Sequence, residues 1–339
     1  MSLVYFRAHR HFFLILFIYM DYISVLEREN IMSNLSSESQ AYLEIFKEMP
    51  AFETLEPQAV RDIFSQAPPV EVELAPVAKI VNQQITVEND DIQIRIYTPE
   101  GNGPFPIFVY YHGGGWVIGD LEMVDASCRM IANETKHIVV SVDYRLSPEH
   151  KFPVPFNDAY TALNWVHEHA ATFNGDASNL VVGGDSAGGN LSAAVALKAR
   201  DENGPAISAQ ILIYPVTQLS YDTPSYEQFK EGYGLDKNLM IWFVEHYIRN
   251  EADRDNPYAS PLLAKDVSNL PPAFVITAEN DVLRDEGHAY AKRLKDAGVD
   301  VESFLNEGLI HGYFTNMAVF PKQIKATIKL INKFLIKEA

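Results

Sequence analysis

The chain has 339 residues, of which 47% are hydrophobic, 21% charged and 12% aromatic, and its 27 Lys and Arg against 45 Asp and Glu give a net charge of −18. These fractions are those of an ordinary globular protein and exclude disordered, collagenous and coiled-coil architectures. So acidic a surface repels phosphate backbones and anionic lipid, which argues against nucleic acid or a membrane surface as a partner.

At roughly 150 residues per domain, the length suits two domains, or one large α/β domain carrying an insertion. The N-terminus holds a nine-residue apolar run, Phe12 to Met20, behind Arg7 and Arg10 and stopped by Asp21. A membrane-spanning helix needs about 20 apolar residues, so no stable span is expected. The run has the length of a signal-peptide core, but no small-x-small cleavage site follows in Asp21-Tyr22-Ile23-Ser24-Val25. Residues 1–31 are therefore read as an extension ahead of a working start near Met32. A cytoplasmic chain is expected, with secretion following only if the extension is a genuine signal.

Residues 33–75 read as polar-rich helices, with turns at Pro57, Pro68 and Pro69. Gln84–Val87 and Ile92–Tyr97 alternate apolar and polar residues and predict an antiparallel pair turned at Asn89-Asp90-Asp91. Ile107–Tyr111, Ile138–Val142, Leu180–Gly183, Ala209–Tyr214 and Ala273–Thr277 are short continuous apolar runs, as expected of strands covered on both faces. Amphipathic stretches near 122–135, 157–170 and 187–200 are long enough for crossover helices, so a mostly parallel sheet flanked by helices is predicted. Residues 216–258 interrupt this rhythm and carry Leu239, Trp242, Phe243, His246 and Tyr247 at helical spacing. An insertion after a strand's C-terminal end projects over the face where α/β sheets bind ligands.

Two motifs carry chemistry. Gly184-Asp185-Ser186-Ala187-Gly188-Gly189 follows the strand Leu180–Gly183 and opens a helix, the G-x-S-x-G nucleophile elbow in its strand–turn–helix setting. The turn is so tight that Gly184 and Gly188 must lack side chains, and the following helix N-terminus adds positive potential where an oxyanion would develop. His112-Gly113-Gly114-Gly115-Trp116 follows the strand Ile107–Tyr111, and its glycines let backbone amides approach a ligand closely.

A serine nucleophile needs a base, and the chain order for this architecture is Ser, then Asp or Glu, then His. Beyond Ser186 and the insertion only His288 and His311 remain. His288 sits four positions into the helix after Arg284 and reads as surface, whereas His311 follows an extended stretch, Val299–Leu305, and is the expected base. Asp281, at the end of the strand Ala273–Thr277, is the expected acid, with Asp285 as fallback. Asp285 and Glu286 otherwise read as helix-dipole residues, and Asp185 as structural. His167-Glu168-His169 is no metal site, because i, i+2 residues on a helix face different ways. Neither an H-E-x-x-H nor a paired-Cys motif occurs, so no metal is expected. The single cysteine, Cys128, reads as a buried structural thiol.

With these residues in view, the sequence resembles the hormone-sensitive-lipase-like esterases (bacterial family IV) of the α/β hydrolases. The resemblance rests on residues 112–116 and 184–190, on Asp143-Tyr144-Arg145-Leu146-Ser147-Pro148-Glu149-His150, on Asp281–Glu286, and on His311-Gly312. It implies an α/β-hydrolase core at 76–215 and 259–339, capped by 32–75 and by the 216–258 insertion. It also implies a cofactor-free serine carboxylesterase for short- to medium-chain acyl esters, with a small-molecule ester as its partner and a homodimer compatible with the family. Carried over by position, Ser186 is the nucleophile, His311 the base and Asp281 the orienting acid. Ala187 and two among Gly113, Gly114 and Gly115 supply the oxyanion amides. Ser147 stands where the family usually has Ala, and Val282 where Pro is frequent. An amidase or deacetylase on the same residues, and a non-catalytic receptor on this fold, are the alternatives.

Overall fold

The computed structural model describes residues 34–66 and 72–338. The N-terminal extension, Pro68 and Pro69 lie outside the described residues. Eight strands form one sheet in the order β1-β2-β4-β3-β5-β6-β7-β8. They are β1 (Lys79–Val87), β2 (Asp90–Thr98), β3 (Phe105–Tyr111), β4 (Ile138–Asp143), β5 (Gly175–Asp185), β6 (Ala209–Ile213), β7 (Ala273–Asn280) and β8 (Val301–Ile310). β1, β2 and β4 pair antiparallel, and from β4 across to β8 every pairing is parallel.

The apolar runs become strands because both faces are covered. Alternate residues of β3 go to opposite sides: Ile107, Val109 and Tyr111 to one cluster, Phe108 and Tyr110 to another. The first side is closed by α4 (Val154–His169) and α5 (Ala187–Asp201), and further along by α8 (Arg284–Asp296). The second is closed by α3 (Asp125–Thr135) and α9 (Pro321–Glu338), and Cys128 of α3 is buried there.

Three local readings change. The β1–β2 turn is shorter than expected, because Val87 pairs with Asp90 and only Glu88 and Asn89 remain between the strands. Asn89 takes a left-handed φ of 64°, which a short polar side chain tolerates at low cost. β1 begins at Lys79, five residues early, since the backbone ladder continues through residues 79–83, where adjacent half-buried Ile80 and Val81 among exposed polar residues show no alternation. β8 runs on to Ile310, which brings His311 directly to a strand end.

Two segments lie apart from these layers. The N-terminal segment forms α1 (Ser37–Phe46) and α2 (Pro57–Ser65), and the insertion forms α6 (Pro224–Gln228) and α7 (Lys237–Tyr247). Phe52 and Val60 of the first share one buried cluster with Leu239, Trp242 and Phe243 of the second. Asn190, in the first turn of α5, donates its side-chain amide to the carbonyls of Val216 and Ala259, both at 2.9 Å.

Candidate active site

β5 ends at Asp185 and α5 starts at Ala187, which leaves Ser186 at the corner with φ 56° and ψ −117°. An L-residue adopts such angles only when its surroundings impose them. Here the carbonyl of Tyr111, at the end of β3, lies against both flanks of the turn. A Cβ on Gly184 would sit 2.1 Å from that oxygen, and one on Gly188 only 1.9 Å from it. The corner is fixed further by the Ser186 amide, which donates to Ile213 of β6 at 2.9 Å.

Ser186 Oγ lies 2.9 Å from His311 Nε2, and His311 Nδ1 lies 2.8 Å from Asp281 Oδ2. A carboxylate only accepts, so Nδ1 carries the proton and Nε2 is free to accept from the serine hydroxyl. Asp281 is 1% exposed, and its second oxygen accepts the Leu283 amide at 2.9 Å. The His311 ring leans on Tyr214 with centroids 4.6 Å apart, and Tyr214 Oη accepts the Phe314 amide at 3.2 Å. The turn carrying His311 is thereby tied to the end of β6.

Asp285 does not reach His311. It accepts the Ser225 amide at 2.8 Å and pairs with Arg284, so it holds α6. His288 is exposed and meets Thr277 Oγ1 at 2.9 Å. Asp185 makes no hydrogen bond to His311; its Oδ1 accepts Tyr110 Oη at 2.6 Å and the Gly113 amide at 3.0 Å. Burial pushes its carboxyl upward, and the Tyr110 hydroxyl, the nearby His311 ring and the Gly113 amide each pull it back.

The bond to Gly113 narrows one expectation: the Gly113 amide is engaged by Asp185 and anchors the loop, which leaves Gly114 and Gly115 as the two candidate glycine donors. Among the described residues, the amides of Gly114, Gly115 and Ala187 have no such partner. Gly115 takes a φ of 58°, and Phe243 of α7 lies so close that a Cβ there would fall 2.2 Å from its ring. His112 holds the loop from the other side: Nδ1 donates to the Gly113 carbonyl at 2.7 Å, and the ring stacks on Tyr144 at 4.3 Å. Burial pushes its pKa down to about 4, so it is a neutral strut. Trp116 is buried and stacks on Tyr247 of α7 at 4.0 Å.

Glu286 departs from its expected place at the surface. It is no dipole residue but is buried, and its Oε1 accepts the Thr217 amide at 2.6 Å. Burial holds this carboxyl far above the carboxylate range. The available signal was periodicity: Glu286, Tyr290 and Leu294 lie four residues apart and share the buried face of α8. Ser147 finds a partner for its hydroxyl in the His150 carbonyl at 3.0 Å. His169 stacks on Trp165 at 4.4 Å. Among the described residues no group of three or more His, Cys, Asp or Glu is placed to hold a metal ion, and no helix is long and apolar enough to cross a membrane.

A sequence profile described as alpha/beta hydrolase fold matches residues 108–315. An arylesterase of Saccharolobus solfataricus is 40% identical over 76% of this chain and 82% of its own length. Carboxylesterase NlhH of Mycobacterium tuberculosis is 41% identical over 75% of this chain and 82% of its own. Among solved structures, a thermostable esterase from Pseudomonas putida superposes with a TM-score of 0.86 at 36% identity, covering 90% of this chain and 98% of that one. The strand order, the serine corner and these relatives agree: the chain belongs to the hormone-sensitive-lipase-like branch of the α/β hydrolases.

Proposed function

We propose that this protein is a carboxylic ester hydrolase acting through an acyl-enzyme on Ser186. The observation that carries this reading is the unbroken chain from Ser186 Oγ through His311 to the buried Asp281. Relatives named arylesterase and carboxylesterase support the reaction class.

In the first step His311 Nε2 takes the serine proton as Oγ attacks the ester carbonyl. Asp281 stabilises the resulting imidazolium and keeps the ring in the productive tautomer. Negative charge grows on the former carbonyl oxygen, where the amides of Gly114, Gly115 and Ala187 receive it. His311 then returns the proton to the leaving alcohol, whose departure frees the acyl-enzyme. A water, deprotonated by the same nitrogen, releases the acid and restores Ser186.

The segments 34–66 and 216–258 act together as the cap. A cleft where they meet is lined by apolar Leu43, Phe46, Phe52 and Leu239 and by charged Lys47, Glu53 and Asp236, and the preference for short- to medium-chain esters rests on the family resemblance. The test is hydrolysis of p-nitrophenyl esters from acetyl to palmitoyl, with Ser186→Ala beside the wild type. Turnover favouring the shorter chains is expected, with kcat falling about 10⁶-fold in the variant. A folded Ser186→Ala protein that hydrolyses the series like the wild type would overturn the reading.

A further inference from the structure

Helix α2 lies in the N-terminal segment, yet one of its side chains reaches the glycine loop. Arg61 Nε donates to the Val117 carbonyl at 2.8 Å, and Nη2 donates to the Ser147 carbonyl at 2.6 Å. The same guanidinium forks onto Glu149 at 2.9 and 2.7 Å. Ser147 returns to the loop, because its amide donates to the Trp116 carbonyl at 2.8 Å. One planar group therefore holds the loop carrying residues 112–119 and the loop carrying residues 143–150 at a fixed spacing.

The connection continues into the site. The amides of Val117 and Ile118 both donate to the Gly114 carbonyl, at 3.0 and 2.9 Å. That carbonyl and the Gly115 amide belong to a single peptide plane and point in opposite directions. Whatever aims the Gly114 carbonyl at residues 117 and 118 therefore aims the Gly115 N–H the other way. Arg61 fixes the far side of this turn through Val117.

We infer that Arg61 is a positioning residue for the oxyanion loop, so that the N-terminal segment takes part in transition-state stabilisation besides covering the site. The inference rests on the esterase reading above. A lysine could not replace the guanidinium, because its single ammonium cannot span two carbonyls and a carboxylate with planar, directed donors. The rival is a plain salt bridge to Glu149, half in solvent and of little consequence for the chemistry.

The test uses the full chain with Arg61→Lys, Arg61→Met and Glu149→Gln, measuring kcat and KM on p-nitrophenyl butyrate, melting temperature, and inhibition by a trifluoromethyl ketone. Such a ketone forms a tetrahedral adduct with the serine and draws on the same amides as the transition state. Both Arg61 variants should lose kcat by about tenfold to a hundredfold with KM within about twofold, and the ketone should weaken by the same factor. Glu149→Gln should stay within about threefold, because Arg61 keeps its carbonyls. Wild-type kcat in Arg61→Lys, or a fall in melting temperature with kcat and ketone affinity unmoved, overturns the inference. If Arg61→Met does not fold, Arg61→Lys decides alone. A wild type that turns over no ester would instead refute the esterase reading, whatever Arg61 does.

Discussion

On one side of Ser186, His311 and Asp281 are joined to it by side-chain hydrogen bonds of 2.8 and 2.9 Å. On the other side the proposed oxyanion donors are backbone amides, and the side chains of Asp185, His112 and Phe243 press the glycine loop that carries two of them into place. The first side fails when a functional group changes. The second has no functional group to remove, so it fails when a neighbour stops holding the backbone.

Asp281→Asn strikes the first side hardest. The carboxamide can present its NH₂ to Nδ1 and turn the imidazole to the wrong tautomer, so kcat should drop about 10⁴-fold. The melting temperature should move little, since the shape is kept; a loss under tenfold would mean that His311 is oriented by Tyr214 instead. Gly115→Ala strikes the second side. The methyl would overlap the Phe243 ring, and kcat should fall about a hundredfold. Adding Phe243→Ala should recover part of that loss in the same assay. No recovery would place the damage in the left-handed backbone and not in the contact with α7.

A third prediction concerns acid. His112 has its pKa pushed from 6.5 down to about 4 by burial, so the unfolded chain binds its proton more readily than the folded one. This contribution to stability is complete above pH 6.5 and lost as pH falls toward 4, by about 3 kcal/mol. Urea unfolding across that window should show the loss, and His112→Gln should flatten it. An unchanged slope would mean that the glycine loop does not depend on a neutral strut. The smallest effect is expected at Cys128, buried under α3 and in neither set of contacts, whose thiol is pushed well above its usual pKa by burial. It should resist an aromatic disulfide reagent in the native state, and rapid labelling would show that the face under α3 opens.

The first side was the more legible in the sequence. Chain order and strand ends pointed to Asp281 and His311, and the structure brings both to Ser186, because a strand's C-terminal end is a definite place in a parallel sheet. On the second side the motif located the loop but could not apportion its amides. Only the tertiary contact with Asp185 shows that Gly113 is engaged. The buried strands were readable as apolar runs, whereas the first half of β1 was not, since Ile80 and Val81 stand side by side among polar residues and give no alternation. Glu286 escaped because a charged residue at a helix start has a ready explanation on the surface. Arg61 escaped because its partners are carbonyls, which every residue has.

Asn190 grips Val216 and Ala259 with one carboxamide, so residues 216–258 leave the core and return to it at the same point. Closing a loop at its base makes the cost of changing its length small, about 0.6 kcal/mol for each doubling. The sheet therefore has little stake in the insertion's length, whereas the glycine loop depends on two of its rings, Phe243 against Gly115 and Tyr247 against Trp116. A different insertion could stand here only if it presented two carbonyls at that base and two rings against the glycine loop, so length is free to vary while those four contacts are not.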